Sequence, residues 1–140
     1  MNRKTRFQHA FWRNYAQLYP CTPKADHFLR GYGGSNPTYH IGDRDDLYVK
    51  QWLGTVSVGI DVRAAGGADV EALMAPYRER FKYEFASNYA GNRCPWGPPS
   101  LPWFVMYFKP DGGTRNWWKW DDMAKWLEAL RKQYEEILSR

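Results

Sequence analysis

Apolar residues recur along this chain with two periods, and the periods divide it into elements. Phe7, Phe11, Tyr15 and Leu18 fall at helical spacing, with Trp12 widening the stripe. The pattern predicts a helix from about Arg6, with Thr5 as its cap and Pro20 ending it. Residues 31–37, Gly-Tyr-Gly-Gly-Ser-Asn-Pro, read as a loop, and Thr38 to Ile41 as a short strand. The polar turn Asp43-Arg44-Asp45-Asp46 leads into a strand from Leu47 to Leu53. Gly54-Thr55 predicts a two-residue hairpin turn with glycine first. Beyond it Val56, Val58, Ile60 and Val62 alternate with Ser57, Gly59, Asp61 and Arg63, which predicts one buried face and one wet face.

After Gly66-Gly67 the period returns to helical. Asp69 is placed to cap a helix whose stripe is Val70, Leu73, Met74, Tyr77, Phe81 and Phe85. Pro76 lies inside it, so the helix either kinks there or restarts with Pro76 in its first turn. Residues 88–102, with two Gly and four Pro, read as an ordered or semi-rigid loop. Trp103 to Lys109 is an apolar run that predicts a central strand buried on both faces, ended by the turn Pro110-Asp111-Gly112-Gly113. Met123, Leu127, Leu130, Tyr134 and Ile137 then mark a last helix capped by Asp121. Its Glu128–Lys132 and Arg131–Glu135 pairs are expected on the wet side. The order α-β-β-β-α-β-α predicts an α+β domain: a small antiparallel sheet packed against about three helices. At 140 residues the chain reads as one domain, residues 1–140, with no internal repeat.

Charge alters the picture of the N-terminal helix. The net charge is +5, and residues 1–25 hold Arg3, Lys4, Arg6, Arg13 and Lys24 with no acid. The remaining chain carries 15 basic and 15 acidic groups, so the whole excess lies in this segment. Such a segment attracts phosphate or an acidic surface. Cations at the start of a helix also oppose its dipole, at a cost of a few tenths to about 1 kcal/mol. The basic N-terminus precedes no apolar core of about 7–15 residues, so no secretory signal is expected. No apolar run approaches the roughly 20 residues that span a bilayer. Cys21 and Cys94 form neither a zinc motif nor a disulfide framework, and read as reduced thiols of a cytoplasmic protein. A single disulfide between them is the alternative.

Aromatic content is high, at 18%, with eight Trp. Trp12, Trp103, Trp120 and Trp126 fall on element stripes and are expected in the core. Trp96, in the proline-rich loop, and Trp117-Trp118, beside Arg115 and Lys119, do not. Aromatics interleaved with cations suit stacking on bases or a hot spot on a protein surface. Catalytic chemistry is sparse. His9, His27 and His40 are the only histidines, and His40 with Asp43 is the one pair at a spacing that suits a base and its orienting carboxylate. No zinc-protease, nucleophile-elbow or P-loop motif occurs. Asp43, Asp45, Asp46, Asp61 and Lys50 lie around the hairpin and form the only candidate metal-nuclease set, but Asp61-Val62-Arg63 lacks the Glu and Lys of such a strand. No cofactor, metal ligand or catalytic residue is therefore assigned.

The Phe11-Trp12 helix, the Val58-Gly59-Ile60 strand, the helix from Asp69 and the closing Trp117-Trp118-Lys119-Trp120 to Trp126-Leu127 segment together resemble an uncharacterised bacterial domain of unknown function. That domain occurs alone or behind restriction-nuclease-like domains. The resemblance spans roughly residues 7–138 and departs between Gly91 and Pro102. It implies a prokaryotic or phage setting near nucleic-acid processing or defence, and no catalytic residue. The expected function is a non-catalytic binding module for nucleic acid or a nucleoprotein complex, using Arg3, Lys4, Arg6, Arg13, Trp96, Arg115, Trp117, Trp118 and Lys119. The alternatives are a phage-type inhibitor or adaptor that binds a bacterial immune complex, and a metal-dependent nuclease.

Overall fold

A computed structural model describes residues 3–20, 37–54, 58–85, 103–108 and 117–139. The chain runs α1 (Arg3–Leu18), β1 (Thr38–His40), β2 (Leu47–Leu53), β3 (Val58–Ala64), α2 (Val70–Met74), α3 (Arg78–Glu84), β4 (Met106–Phe108) and α4 (Trp120–Leu138). The strands form one antiparallel sheet in the order β1-β2-β3-β4. This is the α+β architecture expected from the two periods.

The period-2 pattern of β2 gives strict alternation: Leu47, Val49, Gln51 and Leu53 are buried and the residues between them half-buried. In register with them on β3 are Ala64, Val62, Ile60 and Val58. Residues paired across an antiparallel ladder share a face. This inner face receives α1 and α4: Gln8 Nε2 donates to the Leu53 carbonyl at 2.8 Å, and Gln51 Nε2 to the Leu127 carbonyl at 3.3 Å. Phe11, Trp12 and Tyr15 from α1 and Met123, Leu127, Leu130, Tyr134 and Ile137 from α4 complete the core with Met74, Phe81 and Phe85. Phe81 and Phe85 lie against the Tyr134 ring at 4.9 and 5.4 Å, which joins α3 to α4.

Asp69 caps α2 as its position predicts, accepting from the Glu71 and Ala72 amides at 3.1 and 3.3 Å. Pro76 lies in a 3-10 turn, Ala75–Tyr77, and α3 follows as a separate helix. Proline has no N–H to give to the ladder, and the first positions of a new turn do not require one.

Five expectations need correction. α1 begins at Arg3, so Thr5 lies inside it, and Leu18 is 45% exposed. The hairpin does not turn on Gly54-Thr55: Leu53 pairs with Val58, whereas a turn of those two residues would pair it with Val56. Thr55 to Ser57 lie outside the described residues. β3 is buried on both faces through Val62, and Asp61 is only 7% exposed. Among the described residues β4 is an edge strand, paired with β3 alone, while Trp103 and Phe104 form the turn before it. In α4, Asp121 is in the first turn, and Lys119 holds the cap position, where its side chain does not cap the helix. The expected loops at 31–36 and 88–102, the turn at 110–113, and Cys21, His27 and Cys94 lie outside the described residues.

Candidate nucleic-acid interface

α1 has a dry side and a cationic side. Phe11, Trp12 and Tyr15 are buried, whereas Arg6, Ala10, Arg13 and Gln17 are exposed, one helical turn apart. Arg3 and Lys4 lie in its first turn, and the helix contains no acid. The core side fixes its position. Phe7 and Phe11 meet the Trp120 indole edge-on at 6.1 and 5.8 Å, and Asn14 Nδ2 donates to Asp121 Oδ1 at 3.0 Å.

Those contacts bring two separate sequence signals together. Trp117, Trp118 and Lys119 form a 3-10 turn that runs directly into Trp120 and α4. Trp117 and Trp118 are 63% and 62% exposed. Their rings stand 5.7 Å apart at 85°, so they form an open corner: a planar group lying on one ring meets the edge of the other. Lys119 is half-buried. Asp121 and Asp122 are exposed in the first turn of α4, where negative charge suits the helix dipole. They put two carboxylates beside the aromatic corner, so attraction for phosphate comes from α1. Trp96 and Arg115 lie outside the described residues.

The acidic hairpin residues do not converge. Arg44 grips Asp46 with two bonds of 2.8 Å and also donates to Tyr77 Oη and to the Leu138 carbonyl. Its guanidinium holds the Asp46 carboxyl below the usual range and closes the C-terminal end of α4. Asp43 and Asp45 are exposed, whereas Asp61 is buried. Among the described residues no group of three or more His, Cys, Asp or Glu is placed to hold a metal ion. His40 is half-buried at the end of β1, and His9 half-buried on α1.

Two polar arrangements carry no sequence signature. The first is inside. Tyr39 Oη donates to Gln51 Oε1 at 2.8 Å, Gln51 Nε2 to Tyr15 Oη at 3.0 Å, and Tyr15 Oη to Glu128 Oε2 at 2.6 Å. Glu128 also takes Arg131, whose guanidinium lies 4.9 Å from the Tyr39 ring centre and closes the circuit. Glu128 is 6% exposed and so is not on the wet side; Lys132 reaches it only at 3.9 Å. Burial, and then the Glu128 carboxylate, push the Tyr15 phenol far above its ordinary value, so it remains a donor. The second lies on the outer face of the sheet, where Thr38, Lys50 and Asp61 are in register across β1, β2 and β3.

Comparison of the chain with protein-family models, curated proteins and solved structures gave no match. Among the described residues no helix is long and apolar enough to cross a membrane.

Proposed function

We propose that this protein is a non-catalytic nucleic-acid-binding module that holds single strands through the cationic side of α1 and the Trp117–Trp118 corner. The observation that carries the reading is the packing of Phe7 and Phe11 on Trp120, which sets an acid-free cationic helix beside two exposed indoles. Cations track a phosphate backbone without reading sequence, and indoles stack on any base. The perpendicular rings suit an unstacked base better than a duplex, whose bases offer no open faces. A prokaryotic or phage setting, in defence or on a mobile element, is the context that the resemblance supplies.

Binding to single- and double-stranded DNA and RNA, measured over a salt series, tests this. If Arg3, Lys4, Arg6 and Arg13 each neutralise one phosphate, log Kobs falls with log salt at a slope of about −3 on a single strand. Arg6→Glu with Arg13→Glu flattens the slope. Trp117→Ala or Trp118→Ala weakens binding by about 1–3 kcal/mol per lost stack at unchanged slope. Absence of binding at the lowest salt refutes the reading. Capture of a protein instead of nucleic acid from a bacterial lysate, lost in the same Trp variants, favours the inhibitor or adaptor alternative.

A further inference from the structure

The outer face of the sheet holds two buried polar atoms without hydrogen-bond partners, one on each side of a lysine. Thr38 is 2% exposed and Asp61 7%, and neither Thr38 Oγ1 nor Asp61 Oδ1 has a partner. Register sets them on the two strands flanking Lys50. The other Asp61 oxygen, Oδ2, accepts from Arg63 Nε at 3.0 Å, which fixes the carboxyl and leaves the buried Oδ1 without a partner. The next register pair on this face is Trp52 with Gly59. The half-buried indole fills the space a side chain would take at 59: a Cβ there would lie 2.0 Å from Trp52 Cζ2. An aromatic surface thus lies one step along the strands from the polar row.

Buried polar groups are almost always satisfied, and an orphan asks what satisfies it. The row restricts the answer. Lys50 offers only donors, Asp61 Oδ1 only acceptor lone pairs, and the Thr38 hydroxyl either. An ammonium in the middle repels a metal ion, and a carboxylate at one end repels a bare phosphate. Neighbouring strands lie about 4.8 Å apart, so the matching ligand carries an acceptor next to a donor on one short edge. Every nucleobase has such an edge, and a flat face suited to an indole.

We infer that the outer sheet face is a second site, which takes a nucleobase edge-on between Lys50 and Asp61, with Thr38 as a third contact and Trp52 beside the ring. It rests on the nucleic-acid reading where the base belongs to a strand held by α1; a free nucleotide presents the same chemistry. Arg63 acts as a positioning residue, because it occupies the oxygen that does not face the ligand.

Equilibrium dialysis of the full chain with the four nucleoside 5′-monophosphates, and separately with four short homo-oligonucleotides, tests the site. Wild type is compared with Asp61→Asn, Thr38→Val and the Trp117→Ala/Trp118→Ala double variant. At least one mononucleotide is expected to bind saturably. Asp61→Asn turns an acceptor into a donor while Arg63 keeps the carbonyl, and weakens that binding by about tenfold or more, as does Thr38→Val to a smaller degree. Thr38→Val removes an unpartnered polar atom and Asp61→Asn an unpartnered buried charge, so both raise Tm while lowering affinity, a combination that a purely structural role does not produce. The double Trp variant loses any mononucleotide held by the indole corner, keeps the binding that Asp61→Asn weakens, and binds the oligonucleotides more weakly. Mononucleotide binding without oligonucleotide binding keeps this site and refutes the α1 interface. Oligonucleotide binding that ignores Asp61→Asn, or the absence of any saturable mononucleotide, overturns the site and leaves the α1 interface standing.

Discussion

Burial raises the Asp61 carboxyl above its ordinary value of 3.8, against the opposing pull of Arg63 and Lys50. A carboxyl that holds its proton more tightly in the folded chain than in the unfolded one favours folding in acid. That contribution is complete below 3.8 and is lost as pH rises through the folded value. At pH 7 the charged form is therefore a burden that Asp61→Asn removes. Urea denaturation from pH 7 down to about pH 4 is expected to show the variant more stable than wild type at neutral pH, with the gap closing on acidification; a gap that widens would contradict the burial argument. Asp46 has the opposite sign, since Arg44 lowers its pKa, but it is common to both proteins and cancels in the difference. Tyr15 is the complementary case, a buried donor fully used. Tyr15→Phe leaves Glu128 Oε2 and Gln51 Nε2 short of one partner, and is expected to cost about 1–3 kcal/mol in the same assay.

Elements were legible wherever one face meets the core. β2 occupies the residues read as a strand, Leu47 to Leu53, and the Met123-to-Ile137 stripe of α4 is buried throughout. Alternation says which residues share a face, but not whether the second face is wet, which is why Asp61 on β3 is buried where the pattern predicts a wet face. Edge and central strands also look alike when an apolar run is short, as in β4. The Trp52–Gly59 approach shows what a strand pattern hides. A glycine in a strand interior weakens it locally, yet here only the bare backbone admits the indole. Gly59→Ala is expected to destabilise by about 1–3 kcal/mol through overpacking, and Trp52→Ala in the same chain to recover most of that loss. Additive costs in thermal denaturation would show that the two residues do not compete for the same space.

At the scale of the whole molecule, the candidate interface is an assembly of distant parts. Sequence flagged the α1 cations and the Trp117–Trp118 pair separately, and nothing local joined them. The join is three aromatic rings, Phe7, Phe11 and Trp120, whose meeting depends on the intervening sheet. The outer row is legible only in part, since Lys50 and Asp61 fall in the candidate metal set but Thr38 does not, and for a related reason. Thr38, Lys50 and Asp61 lie on three strands, and their alignment follows from ladder register, not from spacing along the chain. The buried Tyr39–Gln51–Tyr15–Glu128 circuit, closed by Arg131, likewise draws on α1, β1, β2 and α4 at once.

The contact between the first and last helices bears on how the protein is made. Asn14 and Tyr15 find partners 107 and 113 positions later in the chain. At ribosomal speeds of about 5–20 residues per second, α1 waits on the order of 5–20 s for those partners to be synthesised. Through the later part of that interval α1 has only the β2–β3 face to pack on, and the surface of Phe7 and Phe11 that Trp120 comes to cover is available to whatever lies near the ribosome, RNA included.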